Sequence, residues 1–175
     1  DVYKRQLPLS LLQLRRGGRS GAEGLVLAVL LLTALMGPLR GPLLLFPYGL
    51  LSLWLGWSWC RDLSWWLSWS VGVLLGTAGF LVRVFVLSLL VGENLWVAIT
   101  RAGAALLDRL IALLHLPISP DLTQVQLMAL MLVVIQEVIY VLSVHALAFW
   151  IFPRLRSPIP EPPRLLHGLV ALDPL

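Results

Sequence analysis

The chain has 175 residues, 59% of them hydrophobic and 13% charged, with a formal charge of +4 and a mean hydropathy of +0.89. A soluble domain carries about 25% charged and about 45–50% apolar residues, so the composition excludes a water-soluble globule and points to a multi-pass membrane protein. Twelve arginines and the single Lys4 supply the positive charge. No basic run exceeds two residues, so a face that neutralises nucleic-acid phosphates is not expected, whereas arginine-bearing loops that orient helices in a bilayer are. The lone Cys60 excludes an internal disulfide and a zinc cluster.

The first six residues, Asp1 to Gln6, read as one translation frame of a transposase end sequence used in library preparation. They also contain the only lysine of the chain, and they are expected to be foreign. On that reading the true N-terminus is lost and the chain is a fragment.

Leu7 to Leu14 form an apolar stub, too short for a hydrocarbon core that takes about 20 residues to cross. Arg15, Arg16 and Arg19 then make the most basic loop, expected in the cytoplasm. Ser20 followed by Glu23 matches a capping box, so a helix is expected to start near Ser20. It runs on through Leu25 to Met36 and ends at Gly37-Pro38. Gly41-Pro42 reopens a helix, and Leu43 to Trp59 crosses back with a kink at Pro47. Six tryptophans crowd the following turn: Trp54, Trp57, Trp59, Trp65, Trp66 and Trp69. Indole rings favour the headgroup zone, and an interfacial belt is the expectation for them.

The span from Ser64 to Val91 carries small residues at helical spacing: Ser64, Ser68, Gly72, Gly76 and Gly79. Such a stripe lets helix backbones approach closely. Arg83 continues the same face, which turns it toward a helix interface or cavity. An arginine near mid-membrane costs at least about 2.5 kcal/mol and needs a partner. Gly92 ends the helix.

Asn94 to Leu116 form an amphipathic helix whose polar stripe is Asn94, Arg101, Asp108 and His115, seven residues apart. It either lies in the interface or lines a polar cavity. Three crossings before it put Gly92 outside. If the amphipathic helix is peripheral or re-entrant, the final helix brings Arg154 and Arg156 back to the cytoplasm. Ser119-Pro120-Asp121 opens that helix, which runs to about Phe152 and carries Gln136, Glu137, Tyr140 and Ser143 near its middle. A Pro-rich extended tail follows from Arg154. The fold class expected is therefore an all-α polytopic bundle of about four spanning helices plus one amphipathic or re-entrant helix. It forms one domain over residues 7–153, and residues 154–175 are a cytoplasmic tail.

Glu137 is the only carboxylate deep in an apolar span, and Arg83 is its expected partner because the two fall at similar depths. An internal salt bridge and a ligand or proton site are both open to such a pair. Arg83, Glu137, Gln136, Asn94, Arg101, Asp108 and His115 are the ligand-site candidates. For the last four, an amphipathic helix facing headgroups is the alternative. His145 with one glutamate does not make a metal site. Cys60 beside Arg61 is expected to have a lowered pKa, though no paired histidine supports a nucleophile role. The chain has no HExxH, GxSxG, P-loop or GxGxxG motif, and neither an enzyme nor a bound cofactor is expected.

Several strings resemble a known family. They are Leu7-Pro8-Leu9-Ser10-Leu11-Leu12-Gln13-Leu14-Arg15-Arg16-Gly17, MGPLRGPLLLFPYGLLSLWLGW from Met36 to Trp57, and SWWLSWSVGVLLGTAGFLVRVFVLSLLVGENLW from Ser64 to Trp96. They are similar to the YybS-like membrane proteins, domain of unknown function 2232, and to their cyanobacterial members in particular. The resemblance implies a distant relation to substrate-capturing subunits of energy-coupling-factor transporters. Those are six-helix small-molecule binders docked on a transmembrane coupling subunit with paired ATPases, here in the cell inner membrane or the thylakoid. Such subunits dock through small residues on their first transmembrane helix, which here is missing or reduced to Leu7–Leu14, so no docking residues carry over. The glycine face from Gly72 to Gly79 is a docking candidate on physical grounds alone, with packing inside the monomer as the alternative. A membrane scaffold or assembly factor is the competing reading of the whole chain.

Overall fold

The computed structural model describes residues 3–37, 43, 45–113, 115, 120–157 and 159–163. Their regular structure is entirely helical: α1 (Tyr3–Arg16), α2 (Gly18–Met36), a π-type turn over Leu45–Gly49 leading into α3 (Leu50–Cys60), α4 (Trp65–Val91), α5 (Leu95–Leu113) and α6 (Leu122–Ile151). Three of them, α2, α4 and α6, are long and apolar enough to cross a membrane. Their outer faces carry exposed Leu27, Leu31 and Leu35 on α2, Leu74, Phe85 and Leu89 on α4, and Met131, Leu132 and Ile139 on α6. Apolar surface on that scale has no place in water and is the normal outside of a membrane bundle.

The crossing expected over Leu43–Trp59 is not one continuous helix. Phe46 takes extended angles (φ −115°, ψ 126°) ahead of Pro47, and only the 11 residues of α3 continue as regular α-helix. Proline withholds a backbone donor and disfavours helical geometry in the residue before it, which accounts for the break. The helix opening read at Gly41-Pro42 lies outside the described residues.

One helix start differs from expectation, and that of the last helix follows it. The Ser20–Glu23 capping box does not form: α2 begins at Gly18 after Gly17, with no side-chain cap. Glu23 instead pairs with Arg19 one turn earlier, at 3.0 Å. A positive φ of 88° at Gly17 breaks the chain between α1 and α2, so the apolar stub becomes a full 14-residue helix folded back on the bundle. At α6 the cap is Asp121, whose carboxylate and Gln124 form a reciprocal capping box. The α4 boundaries follow the sequence: Ser64 Oγ accepts from the Leu67 amide, and Gly92 closes the helix in the left-handed conformation.

Helices α4 and α6 run antiparallel, with Ser68 facing His145, Gly72 facing Val141 and Gly76 facing Glu137. Gly92 and Leu122 therefore lie at one end of the bundle, and α5 leaves and rejoins at that end without adding a crossing. At the other end Arg15 ties the α1–α2 turn to the segment after α6. Its Nε donates to Ser157 Oγ at 3.1 Å and its Nη2 to the Leu155 carbonyl. The two arginine-bearing segments, 15–19 and 154–156, thus share one end of the molecule.

The core gathers Leu51, Leu55 and Trp59 of α3, Trp65 of α4, Val141, Val144 and Ala148 of α6, and Phe152 and Ile159 beyond it. This corrects part of the tryptophan belt. Trp57 and Trp66 are exposed, but Trp59 and Trp65 are core residues. Indole nitrogens also lace elements together, from Trp54 to the Ser68 carbonyl, Trp69 to the Val138 carbonyl and Trp65 to the Pro160 carbonyl. For Trp54, Trp65 and Trp69 a polar partner for the N–H accompanies the inward packing. Trp59 is instead buried by ring contacts with His145 and Phe152 and leaves its N–H unpartnered among the described residues.

Candidate functional site

The small residues of α4 set the site. Ser68, Gly72, Gly76 and Gly79 are buried while Ser64, the cap, is exposed. A Cβ on Gly72 would come within 2.9 Å of Val141 Cγ1, and one on Gly79 within 2.6 Å of the Pro47 Cα. At Gly76 an added Cβ would overlap the carboxyl of Glu137. The stripe thus seats α6 and the Pro47 turn against α4 at distances that only glycine permits.

Glu137 is 6% exposed, and its Oε2 is buried without a hydrogen-bond partner. The expected ion pair with Arg83 does not form; the only ion pair among the described residues is Arg19–Glu23. The register explains why. Glu137 stands opposite Gly76, and Arg83 is seven residues further along α4, about 10 Å at the rise of an α-helix. Both share the α4–α6 side of the bundle but not a depth.

About two turns toward the basic end lies a second polar group, which the sequence brought forward only as a metal ligand to be set aside. His145 is fully buried, with Nδ1 2.9 Å from the Val141 carbonyl and Nε2 3.0 Å from Ser68 Oγ. Ser68 Oγ is 2.8 Å from Ser58 Oγ, which lies 2.9 Å from the Leu55 carbonyl. A carbonyl can only accept, so Nδ1–H donates to Val141, Nε2 accepts the Ser68 proton, and Ser58 has one proton for two acceptors. The rings of Trp59 and Trp65 flank the imidazole at centroid distances of 5.5 and 5.2 Å. This chain links α3, α4 and α6 through one histidine. The signal for it was present in Ser58, Ser68 and His145, three polar residues in apolar runs, but their meeting depends on tertiary register.

A third buried polar group sits on the other side of α3. Gln13 of α1 is 4% exposed, and a Cβ on Gly21 or Gly56 would come within 2.8 Å of its side chain. Ser10, one turn before it, donates to the Ser52 carbonyl at 2.9 Å. Small residues on two helices, Gly21 of α2 and Gly56 of α3, again admit one polar side chain.

The remaining candidates are not brought to Glu137. Gln136, Arg101, Asp108 and His115 are exposed, and Asn94 is exposed while its Oδ1 accepts from the Val97 amide as the cap of α5. The stripe on α5 faces outward, so the polar cavity expected between these three helices is not assembled by the described residues. Asn94 does line a different space. An open cleft of about 480 Å³ at the α4–α5 corner is lined by Leu81, Val84, Phe85, Leu89 and Trp96 together with Ser88, Glu93 and Asn94, and Phe85 and Leu89 belong at the same time to the exposed outer face of α4. Ser88 Oγ accepts from the Leu95 amide and donates to the Val84 carbonyl, which fixes the corner. Glu93 and Asn94 are exposed there, and the Asn94 amide nitrogen is not used by the cap.

Cys60 corrects the expected thiolate. Partial burial, and then the negative charge of Asp62, push its pKa above that of an ordinary cysteine, and its Sγ–H donates to the Gln13 carbonyl at 3.6 Å. Arg61 does not lower it because its guanidinium is drawn aside over the Trp57 ring, 4.9 Å from the centroid. Among the described residues no group of three or more metal-ligating side chains occurs.

No curated protein and no solved structure matches the chain significantly. Over residues 6–167 the chain matches the family described as "Predicted membrane protein (DUF2232)", in keeping with its three spanning helices and lipid-facing surface. The protein belongs to that family of membrane proteins of unknown function.

Proposed function

We propose that the protein is a membrane-embedded binder of a small amphiphilic molecule, the substrate-capturing subunit of an energy-coupling-factor type transporter, and that it performs no chemistry on its ligand. The observation that supports this reading is the α4–α5 cleft. At about 480 Å³ it falls within the range of about 300–1,000 Å³ that small-molecule sites occupy. Its lining is mostly apolar and includes the exposed Glu93 carboxylate and Asn94 amide. The ligand it suits has an apolar body and a hydrogen-bond-donating or cationic end. The partner implied is a transmembrane coupling subunit with paired ATPases, and the cyanobacterial resemblance of the strings points to the cell inner membrane or the thylakoid.

The test is affinity purification of the tagged full-length protein from its own membranes, followed by mass spectrometry of the proteins and small molecules retained. Recovery of a coupling subunit and ATPases together with a small molecule supports the reading. Recovery of none of these overturns it. A second reading, a non-transporting scaffold or assembly factor, is favoured by the close contact of Gly72, Gly76 and Gly79 with α6 and the Pro47 turn. It requires that filling the cleft with Ser88→Trp leave every retained partner in place and no small molecule to lose.

A further inference from the structure

A second cleft, of about 440 Å³, runs between α1 and the end of α6. Its lining is wholly apolar: Leu7, Pro8 and Leu11 on one side, Leu147, Ile151 and Leu155 on the other, with buried Phe152 as floor. The α6 side spans eight positions, about 12 Å at the rise of a helix, and the α1 side four, about 6 Å. That length suits the upper part of an extended acyl chain.

The groove ends at the arginine-bearing end of the molecule. Leu155 belongs both to its wall and to the Arg15 contact, since the Leu155 carbonyl accepts from Arg15. Arg154 and Arg156 flank Leu155 in the chain, and Arg16 adjoins Arg15; all are exposed. Arginines 15, 16, 19, 61, 154 and 156 lie at this end against Glu23, Asp62 and Glu161, six cations to three anions among the described residues. Glu23 is already engaged by Arg19, and Arg61 lies over Trp57. Arg15, Arg16 and Arg156 thus place positive charge beside the groove. An apolar slot in the bilayer that ends under a cluster of guanidinium groups is complementary to a lipid with a phosphate headgroup and a net negative charge.

We propose that the α1–α6 groove is a binding site for an anionic diacyl phospholipid, with one acyl chain in the slot and the headgroup phosphate under Arg16 and Arg156. The site is separate from the α4–α5 cleft and rests only on the protein's membrane embedding. Arg15 has a structural share in it, because its bonds to Leu155 and Ser157 hold the far wall of the groove in place.

The experiment is native mass spectrometry of the full chain released from an uncharged detergent, with phosphatidylglycerol or phosphatidylcholine of identical acyl chains added in steps. The expected result is a marked excess of phosphatidylglycerol adducts. A surface arginine is worth about fivefold in affinity for an anionic lipid, so Arg156→Gln and Arg16→Gln should each cut the excess by about that factor, and Arg156→Lys should restore most of it. Leu147→Trp, which fills the slot, should remove adducts of both lipids, and millimolar inorganic phosphate should not compete. Equal retention of the two lipids would overturn the proposal, as would an excess that survives both arginine changes. Full competition by phosphate would assign the arginines to a free anion instead. A Leu147→Trp protein that changes oligomeric state but keeps its lipid would assign the groove to a second copy.

Discussion

Ser68 Oγ lies 3.0 Å from His145 Nε2 and joins α4 to α6 through a histidine in the core. The bond is fully buried, and Ser68 also contacts Ser58, so its removal affects three helices. Hydrogen bonds between membrane helices average about 0.6 kcal/mol and reach about 1.7. Burial and the shared network put this one in the upper part of that range. Ser68→Ala is expected to destabilise by about 1–2 kcal/mol, with His145→Ala worse because it also opens a cavity between Trp59 and Trp65. Reversible unfolding in mixed micelles measures both, and a Ser68→Ala protein as stable as the parent would contradict the network.

Glu137 and Arg83 should behave as strangers. With no ion pair between them and about 10 Å of helix separating their levels, Arg83→Ala and Glu137→Gln should add within about 0.3–0.5 kcal/mol. Gly76 is the residue that Glu137 does feel. Gly76→Ala should be costly in the parent and better tolerated with Glu137→Ala, because the added methyl then occupies space the carboxyl has left. The two double-mutant cycles settle the matter together: coupling to Arg83 without coupling to Gly76 would refute the register described above.

The glycine stripe should be uneven in its tolerance. A Cβ at Gly79 meets the Cα of Pro47 at 2.6 Å, whereas one at Gly72 meets the Val141 Cγ1 methyl at 2.9 Å. Backbone yields less readily than a side-chain methyl, so Gly79→Ala should cost about 1–3 kcal/mol and exceed Gly72→Ala. The comparison is made by unfolding the two variants side by side.

Cys60 supplies a pH test. Its pKa is raised, so less thiolate is present at any pH below that value than in a free cysteine, and alkylation of the folded protein should lag accordingly. The rate–pH curve should be displaced upward, and Asp62→Asn should move it part of the way back. The sign for stability follows: the protonated thiol's contribution is fully present below the unfolded value of about 8.5 and is lost as pH rises through the higher folded one. A maleimide or iodoacetamide rate profile checks it, and a curve displaced downward would contradict the assigned environment.

The sequence was most legible where local chemistry decides. Ser64 and Gly92 bound α4 as their side-chain and backbone properties require, and Pro47 interrupts the segment it was expected to bend. Periodicity also marked the buried face of α4, because a stripe of small residues has few other uses in a membrane helix. Register was not legible. Depth counting put Arg83 opposite Glu137, but an antiparallel offset of one or two turns reassigns every partner, and only the packing of Gly76 on the carboxyl fixes it. Trp59 and Trp65 were misread as belt residues for a related reason. An indole is equally at home at the headgroups and in a core, and composition does not tell belt from core. Trp65 gives its N–H to the Pro160 carbonyl, whereas Trp59 is buried with its N–H unpartnered among the described residues and its ring packed on His145 and Phe152. Gln13 gave no signal because its cradle comes from Gly21 and Gly56, on two other helices.

The central claim is ligand capture at the α4–α5 cleft, and its most direct measurement is the small-molecule content of the purified protein. The protein is denatured after isolation from its own membranes, and the released compounds are compared with those from a Ser88→Trp variant that fills the cleft. The account predicts one amphiphilic compound in near-stoichiometric amount from the parent and its loss from the variant, with lipid content unchanged. Identical profiles from the two proteins would contradict it.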